Sequence, residues 1–134
     1  MQISFTIFPN ASFQDEIMQD ENGTPYPMAG VIKGESFRTD HLVRFGYIAL
    51  TAQKDSLMAK QGDTIRAHEF HYWDSTNSGD AFSAKRATGS KEWDCIVAEE
   101  NLSAGYPHIH FYSNPAFAYR FLNQCLTYHQ NKLL

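Results

Sequence analysis

Only one stretch of this chain carries a strong helical period. Phe117, Phe121 and Cys125 recur at i, i+4 and i+8, with Ala118, Leu122 and Leu126 beside them. That spacing lays a wide apolar stripe along one helix face. Asn114 can cap the helix and Pro115 suits its first turn. The pattern predicts a helix from about Asn114 to Thr127 packed on a sheet, with a fraying tail from Tyr128 to Leu134. Most of the chain before it breaks into strand-length pieces.

Asp20 to Pro25 is dense in turn formers and reads as a loop. Tyr26 to Lys33 reads as a short strand ending at Gly34. Leu42 to Ala52 is the longest strand candidate, rich in aromatic and β-branched residues. Gly62-Asp63 is a turn, and Thr64 to Tyr72 is the next strand. Asp74 to Asp80 is a polar loop, Ala81 to Thr88 a candidate strand, and Gly89-Ser90-Lys91 a turn. Trp93 to Glu99 and Tyr106 to Tyr112 read as strands separated by a loop at Asn101 to Gly105. Residues 1–16 are ambiguous: an apolar run, Pro9-Asn10, then a weak helical turn. The expected class is α/β, with a mixed sheet, antiparallel hairpins in the middle and a C-terminal helix. A strand running directly into that helix reads as the C-terminal part of an α/β domain.

At 134 residues the chain is one domain long, and 43% hydrophobic residues suffice for a core. A net charge of −4 argues against nucleic acid as the main partner. No apolar run approaches the roughly 18 residues of a membrane span. The first nine residues lack the basic region of a signal peptide. Cys95 and Cys125 lie in apolar surroundings and read as buried, reduced thiols of a cytoplasmic protein.

Histidine carries most of the chemical signal. Four of the six fall in two groups, Arg66-Ala67-His68-Glu69-Phe70-His71-Tyr72 and Tyr106-Pro107-His108-Ile109-His110-Phe111. On strands, alternation puts His108 and His110 on one face with Tyr106, and Glu69 with His71 on one face, away from His68. Imidazoles so spaced can serve a metal or proton transfer. His108, His110, Glu69 and His71 would supply a two-plus-two ligand set, but no spacing is diagnostic. Hydrogen bonding at a sheet edge is the commoner role of such histidines. Neither cysteine sits on a Gly-rich strand-to-helix elbow, so spacing alone shows no nucleophile. No Gly-rich phosphate loop is present. Tyr47, Phe70, Tyr72, Trp73 and Phe111 could line a pocket, although core packing is the commoner use of such residues.

Four segments in order resemble a known family. They are Tyr26-Pro27-Met28-Ala29-Gly30, Phe37 to Tyr47 with its Arg44-Phe45-Gly46-Tyr47 end, Arg66 to Tyr72, and Tyr106 to Pro115 with its His108-Ile109-His110-Phe111 core. From about Ile17 to about Leu126 the sequence resembles the C-terminal glutamine amidotransferase domain of the cobyrinic acid a,c-diamide synthases. The resemblance implies a class I, triad-type glutaminase fold. In that family a cysteine attacks the glutamine amide, a histidine activates it, and ammonia passes to an ATP-dependent synthetase domain. That domain amidates a corrin precursor in cobalamin biosynthesis.

By motif position His108 matches the catalytic histidine, with His110 in the place of the usual glutamate. Glu69 and His71 are expected beside the His108 strand as part of the same site wall. There Glu69 would orient His71 or hydrogen-bond backbone near the substrate. The family's Cys-Gly-Gly elbow has no counterpart: residues 1–16 contain neither Cys nor Gly. The expected organisation is a divergent segment at 1–16 and a partial glutamine amidotransferase-like domain at 17–134, truncated at or before the nucleophile. No cofactor is expected in this chain, while the parent enzyme uses ATP and magnesium. Glutamine and the corrin precursor are partners only through that parent. A severed sheet exposing an edge makes a homodimer one expected outcome.

Two other readings stay open. One is a non-catalytic binding or regulatory module that keeps the glutaminase fold. The other is a His-rich metal-binding domain. A neighbouring reading frame carrying the ATP domain and Cys-Gly-Gly would favour the amidotransferase, and metal analysis addresses the last.

Overall fold

A computed structural model describes residues 14–132. Among the described residues, eleven strands precede a single long helix. The main sheet has five strands in the order β11-β5-β4-β7-β8, comprising β11 (His108–Ile109), β5 (Thr64–His71), β4 (Arg44–Ala52), β7 (Phe82–Arg86) and β8 (Glu92–Cys95). Every pairing in it is antiparallel. The mixed sheet is a separate four-stranded one, in the order β2-β1-β3-β6, with β1 (Asp15–Gln19), β2 (Pro25–Pro27), β3 (Ile32–Arg38) and β6 (Trp73–Ser75). Its one parallel pairing is β1 with β3. The expected α/β class with one C-terminal helix holds, and the parallel element lies outside the main sheet.

Alternation builds the core. Along β4, Ile48, Leu50 and Ala52 are buried while Phe45, Tyr47 and Ala49 face outward. Ile65 and Ala67 of β5, Phe82 and Ala84 of β7 and Cys95 of β8 join the inner face. Helix α1 (Ala116–Lys132) closes it, with Phe117 fully buried and its ring 6.2 Å from that of Phe82. Burying a side chain of that size contributes about 1.5–3 kcal/mol. Phe121 packs partly buried on the same cluster. The predicted stripe is covered on one side only, since Leu122 and Leu126 are exposed.

The start of α1 is tied down. Asn114 Oδ1 accepts from the Ala116 N–H at 3.2 Å, and Asn114 Nδ2 donates to the Thr64 carbonyl at 2.8 Å. Arg120 Nη1 donates to Asp63 Oδ2 at 2.6 Å. The helix runs past Thr127, where fraying was expected. Lys132 lies 5.1 Å over the Tyr128 ring one turn away and puts a cationic side chain in the last turn.

Other boundaries moved for identifiable reasons. Gly30 turns at φ +65°, dividing the expected Tyr26–Lys33 strand into β2 and β3. Gly34 therefore lies inside β3, where a Cβ would come 3.1 Å from Asn77 Cβ. Ile96 adopts φ +66°, a rare conformation for a β-branched residue, and splits the expected Trp93–Glu99 strand into β8 and β9 (Val97–Glu99). The expected loop at Asn101–Gly105 instead holds β10 (Leu102–Ala104), which pairs β9 through a tight hairpin at Glu100-Asn101. Asp15 and Glu16, in the region read as a weak helical turn, belong to β1. The rest of that reading, residues 1–13, lies outside the described residues, as do Leu133 and Leu134 of the expected tail.

Asp15 of β1 ties together three strands of the mixed sheet, through Ser36 of β3 and Ser75 of β6. It is fully buried, and its Oδ2 accepts from Ser36 Oγ and from Ser75 Oγ, the latter at 2.8 Å.

Candidate functional site

The register of β5 with its neighbours decides which histidines can act together. His108 stands directly opposite His68, and His68 directly opposite Tyr47. Directly paired residues share a sheet face. His108 therefore lies on the outer face with His68 and Tyr47. Their rings form a row, 5.4 Å from Tyr47 to His68 and 6.4 Å from His68 to His108. Phe45 and Phe70 extend it, and Tyr47 is 75% exposed.

Glu69 and His71 take the other face. Gly46, opposite Glu69, carries no side chain to cover it, and Arg44 stands opposite His71. Glu69 is only 2% exposed. The expectation of one wall holding Glu69, His71 and His108 is thus corrected: the β-sheet separates them. The same separation breaks the two-plus-two ligand set. Among the described residues no three His, Cys, Asp or Glu side chains converge as metal ligands.

The expected strand Tyr106–Tyr112 shrinks to two residues. Pro107 has no N–H to give a ladder. Beyond β11 the chain turns into a short 3-10 helix at Phe111–Ser113. His110 is exposed and held by its backbone N–H to the Arg66 carbonyl at 2.9 Å, with its ring 6.2 Å from that of Tyr112. Tyr106 does not share a face with His108. It is buried and stacks on His71, with ring centroids 4.1 Å apart.

The inner face thus holds a cleft that spacing alone did not reveal. Arg44, Glu69, His71, Asp74, Cys95 and Tyr106 are among its walls, around a space of about 30 Å³. The Arg44 guanidinium lies 4.9 Å over the Trp93 ring and donates to the Val43 carbonyl at 3.0 Å. Burial pushes Glu69 up to about 7, opposed by the Arg44 charge and a hydrogen bond from Trp93. Burial also lowers the His71 pKa. His71 Nδ1 lies 2.6 Å from the Trp73 carbonyl. A carbonyl only accepts, so Nδ1 carries the proton and the neutral ring turns its Nε2 lone pair elsewhere.

Neither cysteine faces His108. Cys95 pairs with Phe82 on the inner face, and burial with the nearby Glu69 charge pushes its thiol far above the ordinary range. Cys125 lies on α1, the helix that closes the inner face. His108 thus presents an exposed ring on the outer face, while the chain's own thiols lie elsewhere.

Similarity to known proteins extends over most of the chain. No family model matches the chain. The cobyrinate a,c-diamide synthase of Listeria innocua is 39% identical over 70% of the chain, and that of Salmonella typhimurium 34% over 73%. The Caldanaerobacter subterraneus protein of the same name is 30% identical over 83% of it. The chain belongs to the cobyrinate a,c-diamide synthase family. It spans about a quarter of the length of these relatives: 22%, 22% and 25% respectively. No helix of the described residues is long and apolar enough to cross a membrane.

Proposed function

We propose that this chain is part of the glutamine amidotransferase region of a cobyrinate a,c-diamide synthase, with a class I, triad-type glutaminase fold. Its role is glutamine-dependent amidation of a corrin precursor in cobalamin biosynthesis. The observation that carries the reading is the match to diamide synthases over more than two thirds of the chain. The exposed His108 fits it, because its ring is open to a group supplied from outside the described residues. In this reading His108 is the base that activates a cysteine thiol, with His110 beside it. The glutamine amide is attacked by that thiol, and the released ammonia is consumed where an ATP-dependent synthetase activates the acid. ATP and magnesium act in the part of the relatives that this chain does not span, and no residue here is assigned to them.

Alone, the chain lacks a thiol facing His108, so it should not hydrolyse glutamine. The test is complementation. A Listeria innocua synthase deleted of the matching quarter is mixed with this chain, and ammonia release from glutamine is measured. Restored release that disappears with His108→Ala supports the reading. Release by the chain alone, or restored release that survives His108→Ala, overturns the assigned role. No restoration, with a folded complex formed, supports the non-catalytic module instead.

A further inference from the structure

The inner cleft has two buried lone-pair sites and no protein donor for either. Glu69 Oε2 and His71 Nε2 are both shut away from solvent and unpartnered. A buried acceptor left unmatched is costly, so such pairs are normally met by a bound molecule. Both residues line the same cleft, whose free space of about 30 Å³ takes one water-sized molecule and little more. The occupant must therefore be compact and must offer at least two hydrogens.

Charge narrows the choice. The cleft carries Glu69 and Asp74 against Arg44, with the His71 ring neutral. The Arg44 guanidinium, held over the Trp93 ring and at the Val43 carbonyl, offsets only one of these carboxylates. Asp94, on the same cleft, adds further negative charge. A small cation with N–H donors satisfies both lone pairs and compensates the buried carboxylate, whereas water does only the first.

We infer that the Glu69–His71 cleft holds ammonia, taken up as ammonium between Glu69 Oε2 and His71 Nε2. The choice of ammonium over other small donors rests on the amide-forming reading above, in which nitrogen reaches an acid as ammonia. Tyr106, stacked on His71, and Trp93, beside Arg44, fix the two walls.

The experiment is a titration of the full chain, read by the side-chain nitrogen resonances of its histidines by NMR near pH 7.5. Ammonium chloride, potassium chloride and methylammonium chloride are compared at equal ionic strength. Expected is a saturating shift of His71 Nε2 with ammonium only, His68 and His108 remaining still. Potassium has no N–H, and methylammonium offers one N–H fewer and must place a methyl group in a space of about 30 Å³. Glu69→Gln should weaken the response about tenfold. A non-saturating response, or an equal one to potassium or methylammonium, overturns the proposal, as does an unchanged response in a folded Glu69→Gln. The three-salt comparison on the unsubstituted chain decides the matter even if the variant does not fold. Because the titration reads binding and not turnover, its failure leaves the complementation result standing, and the reverse holds.

Discussion

Glu69 should make the stability of this protein fall as pH rises from 4.5 to about 7. In the unfolded chain the carboxyl ionises near 4.5, and in the folded chain near about 7. Below 4.5 both states are protonated and the group favours neither. Between the two values the unfolded chain has released its proton while the folded chain keeps it, so unfolding is favoured progressively more. Above about 7 both are ionised and the loss is complete. At roughly 1.4 kcal/mol for each pH unit the total is about 3 kcal/mol. His71 acts in the opposite sense, because burial lowers its pKa: its contribution is present above 6.5 and is lost as pH falls. Comparing Glu69→Gln with the unsubstituted chain isolates the carboxyl, since glutamine has its shape and does not titrate. Urea unfolding followed by circular dichroism at pH 4.5, 6, 7 and 8 gives both stability curves. The variant should gain about 3 kcal/mol relative to the original between the lowest and highest pH. Parallel curves would show that Glu69 is as well solvated folded as unfolded, and would refute the burial argument.

Two further substitutions test the packing. Phe117→Ala removes a fully buried ring from between α1 and Phe82 and should cost about 3–5 kcal/mol in the same unfolding assay; a loss under about 1 kcal/mol would mean that α1 is not docked as described. Gly79 turns at φ +80° with its Cβ direction 2.2 Å from the Ile96 carbonyl carbon, so Gly79→Ala should destabilise by about 2 kcal/mol or more, and a neutral result would place the Ile96 backbone elsewhere.

The two long central strands and the helix were legible because their signals are local. Ile48, Leu50 and Ala52 alternate with outward residues in β4, and Phe117 and Phe121 repeat at the helical period. The hairpin at Leu102–Ala104 was missed because its turn residues made the whole segment look like loop. The break at Ile96 has no local signal: a β-branched residue promises extended backbone, and the contacts with Gly79 and Gly105 that surround its left-handed conformation are distant in sequence. The expected grouping of Glu69 and His71 with His108 failed for a related reason. Alternation assigns faces within a strand, and it correctly opposed His68 to Glu69. It says nothing about how β11 registers against β5, and that pairing put His108 with His68. Arg44 and Trp93 belong to the cleft for the same kind of reason, joined only through the folded sheet. The family resemblance supplied what periodicity could not, the identity of His108 as the residue to examine.

The β4–β5 ladder, paired over eight successive positions from Arg44–His71 to Thr51–Thr64, constrains how the gene can change length. Deleting one codon within β5 would turn its side chains to opposite faces beyond the deletion. Phe70 would then point inward where Glu69 had been, and the carboxyl would stand in solvent beside His108. Substitutions can be accepted one at a time in such a strand, but a single-codon insertion or deletion rewrites both faces at once. Length variation among relatives should therefore collect in exposed turns such as residues 87–91 and stay out of residues 44–52 and 64–71.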